Sequence, residues 1–126
     1  MSTATQRTYR FDLMLSIELD DDAFGRLKSV CSDDVLVGVL AGVPYAEFDR
    51  EAPTLAEAIL SAVRDVEAAK VEGLSIEGVQ TDDPDELTEA EASAVAYLDA
   101  LLKARRLASL VPDAREMAGR LLVETV

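Results

Sequence analysis
Histidine is absent from all 126 residues, which removes His triads, His general bases and imidazole metal sites within one chain. Cysteine occurs once, as Cys31. No intramolecular disulfide can form, a secreted disulfide scaffold is excluded, and a thiolate zinc or iron–sulfur site has too few ligands. Tryptophan is missing and aromatics make up only 5% of the chain, so the core has to come from the aliphatic part of a 49% apolar composition. Such material suits helices packed on a sheet, and the length suits one domain with a short appendage. Apolar runs reach strand length only, and Met1–Thr8 is polar with no apolar targeting core, so a cytoplasmic protein is expected.

Basic residues are also scarce: 12 against 25 acids, a net charge of −13. Phosphate backbones repel such a surface, so nucleic acid is not expected as a generic ligand and a basic protein partner fits better. The plainer reading is that the charge serves solubility. The six glycines form neither a Walker loop nor a dinucleotide fingerprint. Asp20-Asp21-Asp22 and Asp82-Asp83-Pro84-Asp85-Glu86 lack calcium-loop spacing and read as helix starts and solvated linker. Cys31 reads as a small buried residue, since neighbouring Asp33 and Asp34 disfavour a thiolate. Neither a metal nor a cofactor is expected, and no base can be singled out for catalysis; the expectation is a protein that is not an enzyme.

Tyr9, Phe11, Leu13, Leu15 and Ile17 alternate with Arg10, Asp12, Met14, Ser16 and Glu18, which predicts a half-buried strand. A short helix follows the Asp20-Asp21-Asp22 cap, through Phe24, Leu27 and Cys31. The runs Val35–Leu40 and Val43–Phe48, broken at Ala41-Gly42, predict a hairpin. Pro44 must then lie on an edge or at the start of its strand. Thr54-x-x-Glu57 caps a helix over about 55–69, with Leu55, Ala58, Ile59, Ala62, Val63 and Val66 on one face, and Leu74–Val79 gives a last strand. The expected fold is α+β: a ferredoxin-like βαββαβ antiparallel sheet over 9–80, with two helices on one face. An acidic linker at 81–88 and a C-terminal αα-hairpin over 89–126 complete it. In the hairpin, Thr88-x-x-Glu91 caps a helix to about 109, and Ala114, Met117, Ala118, Leu121 and Leu122 mark a second after a break at Val111-Pro112.

Tyr9–Leu13, Cys31–Asp34 before Val37-Gly38, and Phe48–Pro53 leading into Ala58–Glu67 resemble a group of small actinobacterial proteins that join such a domain to a helix-turn-helix segment. The resemblance covers 9–83. Past Leu87 the sequence departs from it: a long Ala/Leu helix stands where the DNA-reading pair would be, with no glycine before Gly119. The resemblance implies a bacterial regulatory role, antitoxin-like or accessory.

The leading expectation is a non-enzymatic regulatory or protein-interaction module, binding a protein partner or a second copy through its C-terminal helices. The candidate partner-binding residues are Leu98, Leu101, Leu102, Lys103, Arg105, Arg106, Met117, Leu121 and Leu122. The bases from Lys103 to Arg120 contrast with the acids from Asp82 to Glu91, though they also fit the polar faces of two surface helices. Alternatives are an acidic decoy that mimics nucleic acid and inhibits a basic protein, or a sequence-specific DNA-binding regulator that uses the basic tail.

Overall fold
The structure is a computed structural model and describes residues 6–31 and 34–110. It is α+β, with an open four-stranded antiparallel sheet and three helices. The elements are β1 (Arg7–Leu15), α1 (Asp21–Cys31), β2 (Val35–Leu40), β3 (Val43–Ala52), α2 (Leu55–Ala68), β4 (Ile76–Gln80), a 3-10 turn at Pro84–Glu86, and α3 (Glu89–Leu110).

The order across the sheet is β2-β3-β1-β4. Alternation in β1 sends Phe11, Leu13 and Leu15 into the core, and the register puts Phe48 opposite Phe11 and Ala46 and Val79 on either side of Leu13. The two phenylalanine rings stack with centroids 5.6 Å apart. Leu27 and Cys31 of α1, and Leu55, Ala58, Ile59, Ala62, Val63 and Val66 of α2, fill the same core. The other face carries Arg10, Asp12 and Met14 of β1 beside Asp49, Glu47 and Tyr45 of β3.

Local chemistry fixes the ends of these elements. Asp20 Oδ1 accepts from the Ala23 N–H at 2.8 Å and opens α1, and Thr54 Oγ1 accepts from the Glu57 N–H to open α2. Thr88 and Glu91 form the complete reciprocal box at α3: each side chain accepts from the other's backbone N–H, at 3.1 and 3.0 Å. At Ala41-Gly42 both φ angles are positive, 51° and 81°, as a tight two-residue hairpin turn requires. Pro44 is the second residue of β3, where its missing donor costs the β2 ladder nothing.

Two boundaries differ from expectation. Ile17 does not continue β1: it is 36% exposed, because Ser16 turns the chain by accepting from the Ser75 N–H at 2.8 Å and donating to the Gly73 carbonyl at 3.3 Å. For the same reason β4 begins at Ile76 rather than Leu74.

The larger difference concerns α3. Composition suggests a linker and then a separate helical pair, but α3 folds back along β4 and places Leu102 in the core of the α+β body, with Val95 and Leu98 packed against it. The expected second C-terminal helix lies outside the described residues. No helix among the described residues is long and apolar enough to cross a membrane.

Candidate functional site
In α3, a side chain's position on the helix circumference decides whether it is free to bind. Leu102 is buried at 7% exposure, and Leu98 packs on the core beside it. Asp99 accepts from the Val79 N–H at 2.9 Å, occupying the outer edge of β4, and also pairs with Lys103 at 2.7 Å. A Cβ on Gly78 would collide with that Asp99 carboxylate, so the glycine is what lets α3 approach. Arg105 reaches Glu67 of α2 at 3.3 Å, and Arg106 donates to Ser75 Oγ at 3.1 Å. Arg106 Nε lies 3.5 Å from Glu77, at ion-pair distance but without hydrogen-bond geometry.

The expected partner-binding residues are therefore divided. Leu98, Leu102, Lys103, Arg105 and Arg106 are engaged with the chain's own sheet and helices, because α3 docks through the face that carries them. Leu101 points outward, and Met117, Leu121 and Leu122 lie outside the described residues. On the outward face Leu101 belongs to a stripe whose other members, Tyr97 and Leu107, sequence reasoning did not single out: the three are exposed at 48%, 66% and 62%, with exposed Ala100 and Ala104 between them. The missed signal is that α3 is apolar on two sides. An ordinary surface helix has one apolar stripe, and once that one is buried nothing among the described residues covers the second.

A second cluster joins residues that sequence reasoning left apart. Asp12 of β1 and Glu47 of β3 face each other in register, and Asp82 enters just past β4, so carboxylate oxygens of the three lie within 4.8 Å of one another. Asp12 Oδ1 is buried without a hydrogen-bond partner. Burial first, then the charges of Asp82 and Glu47, raise the Asp12 carboxyl to about 6, with Asp82 accepting a hydrogen bond from its protonated form. Spacings of 35 residues at each step hide the cluster from sequence inspection. The salt bridge of Arg10 to Asp49, at 2.8 Å, flanks it on the same face.

On the helix side, Arg50 of β3 ties α2 to the residue that leads into β2. It reaches Asp34 at 2.7 Å, Asp65 of α2 at 2.9 Å and Ser61 Oγ at 3.2 Å, with its side chain only 11% exposed. Burial lowers its pKa, but the bonds to Asp34 and Asp65 outweigh that and raise it. Cys31 lies nearby. Burial and then Asp65 push its thiol up to about 11, partly offset by Arg50, so it packs as a small apolar group. No family model, curated protein or solved structure matches the chain.

Proposed function
We propose that the chain is a non-enzymatic regulatory module that binds a basic protein partner through its C-terminal helices. In this reading residues 7–80 form a ferredoxin-like scaffold: element order β-α-β-β-α-β, with one antiparallel strand inserted between the parallel strands of each βαβ half. In the same reading α3 is the docking helix, and Met117, Leu121 and Leu122, the other expected contact residues, lie outside the described residues. The protein works in the cytoplasm, in an antitoxin-like or accessory role.

The observation that carries this reading is the outward stripe of Tyr97, Leu101 and Leu107 on a helix whose inner face is already docked. An amphipathic helix of a partner fits such a surface. The partner's charge follows from complementarity: the chain carries −13, and exposed Asp82, Asp83, Asp85, Glu86 and Glu89 lead into or open α3. The test compares tagged wild-type protein with Leu101→Glu, an exposed substitution that leaves the core intact, in co-purification from native extract. A basic protein retained by the wild type and lost from the variant supports the reading. Equal retention by both ends it.

The acidic-decoy alternative draws support from the Asp12, Glu47 and Asp82 cluster, which concentrates negative potential on the uncovered sheet face. It predicts a partner released by neutralising those residues rather than by Leu101→Glu. The DNA-binding alternative is less favoured, since Lys103, Arg105 and Arg106 are each paired with a carboxylate.

A further inference from the structure
We infer that β2 is a homotypic docking edge, on which a second copy of this chain adds its own β2 antiparallel about a two-fold axis at Gly38. The inference uses a surface remote from α3 and stands independently of the function proposed above.

An edge strand exposes a row of backbone donors and acceptors, and proteins usually blunt it with charge, proline, a bulge or a covering segment. In this sheet β4 is covered: α3 lies along it and Asp99 takes the Val79 N–H. No such cover is present at β2 among the described residues, where β3 is its only strand neighbour. Val35–Leu40 contains no charge and no proline, and its register with β3 runs without a bulge. The Asp49 N–H donates to the Asp34 carbonyl at 3.1 Å. Antiparallel alternation then turns the backbone groups of Leu36, Gly38 and Leu40 toward β3 and those of Val35, Val37 and Val39 outward.

The order of side chains selects the occupant. Leu36-Val37-Gly38-Val39-Leu40 reads identically in both directions, so a two-fold axis perpendicular to the sheet at Gly38 makes the strand complementary to itself. In that register Val37 of one copy faces Val39 of the other, and each such pair exchanges both N–H···O bonds through outward-pointing groups. Leu36, at 63% exposure, packs against Leu40 of the second copy, at 73%. Gly38 leaves space at the axis, and Tyr45 fills it on the uncovered face: its hydroxyl lies 2.7 Å from where a Gly38 Cβ would be. An aromatic lying over a glycine in this way restores packing that the strand alone lacks.

Within the strip there is no carboxylate for a basic partner to pair with. The strip is neutral on a chain of −13, so pairing two copies gains apolar contact but retains long-range repulsion. Added salt therefore strengthens the association, the opposite of its effect on a basic partner. A strand pair this short buries less than about 1,200 Å² and makes a reversible dimer rather than an obligate one.

The test is sedimentation velocity of the full chain over a range of concentrations at low and high salt. Expected is a monomer–dimer equilibrium that shifts toward dimer with salt. Leu36→Glu, and separately Val39→Pro, which removes an outward donor without breaking the β3 ladder, weaken it by roughly tenfold or more, with circular dichroism unchanged. The double variant Leu36→Cys/Leu40→Cys crosslinks into a covalent dimer on mild oxidation, because only pairing about Gly38 sets those positions opposite each other. A wild type that stays monomeric at every concentration and salt overturns the inference. So does a dimer that resists Leu36→Glu and fails to crosslink, or one abolished by Leu101→Glu, which would move self-association to α3.

Discussion

The two edges of the sheet have been treated in opposite ways. At β4 a helix closes the edge, with a buried leucine, a carboxylate on the outward N–H and a glycine that permits the approach. At β2 the edge carries uncharged side chains and no described element along its outer side. Edge closure here is thus built from long-range contacts, whereas edge availability is a local property of one short strand. A residue at the closed edge should matter for stability and one at the open edge for association.

The sharpest way to break this contrast is Leu102→Ala. It leaves a cavity between α3 and the sheet and should cost about 3 kcal/mol in chemical denaturation, whereas Leu36→Ala at the open edge should leave monomer stability within about 0.5 kcal/mol. Comparable losses from both would show that the edges are not different in kind. Next in size is Asp99→Ala, which leaves the Val79 N–H without its acceptor and should cost about 2 kcal/mol. Hydrogen exchange at Val79 would check it, and unchanged protection would mean that α3 does not hold β4 through this bond.

Between the edges lies the acidic cluster, and its effect depends on pH. The folded-state pKa of Asp12 is raised to about 6, above the ordinary value of about 3.9. The folded protein therefore holds this proton more tightly than the unfolded chain. That contribution to stability is fully present below about pH 4 and is lost as pH rises through about 6. Asp12→Asn should raise the melting temperature near pH 7.5, by no more than about 1 kcal/mol of stability after solvent screening, with the gain fading toward pH 4. An equal gain at both pH values would remove the carboxylate cluster as its cause.

The smallest effect is expected at the turn feeding the open edge. Ala41 has φ 51°, a conformation that asparagine tolerates better than alanine. Ala41→Asn should stabilise by about 0.5 kcal/mol in thermal unfolding without altering the association of copies, whereas a destabilised variant would show that the turn is not strained at that residue.

Much of the body is legible in the residues themselves. Alternation from Tyr9 to Leu15, the Ala41-Gly42 turn, and the Thr54 and Thr88 caps each express a period or a hydrogen bond spanning a few residues, so they survive without knowledge of the rest of the chain. Ile17 shows where such reading stops: the alternation continues through it, but Ser16 turns the backbone by bonding to Ser75 and Gly73, far along the sequence. The candidate site was less legible. Leu98 and Leu102 look like a binding face, and only the path of the chain reveals that they pack on its own sheet.

Sequence alone determined the type and order of the elements from β1 to α3, the lack of histidine and the mirror symmetry of the strip about Gly38, because composition and short-range order are properties of neighbouring residues. Tertiary structure decided which of the two apolar sides of α3 turns inward, that Asp12, Glu47 and Asp82 meet, and that among the described residues β4 is covered and β2 is not. Each of those outcomes depends on how distant segments are brought together, and a side chain's period states that it will be buried without stating against what.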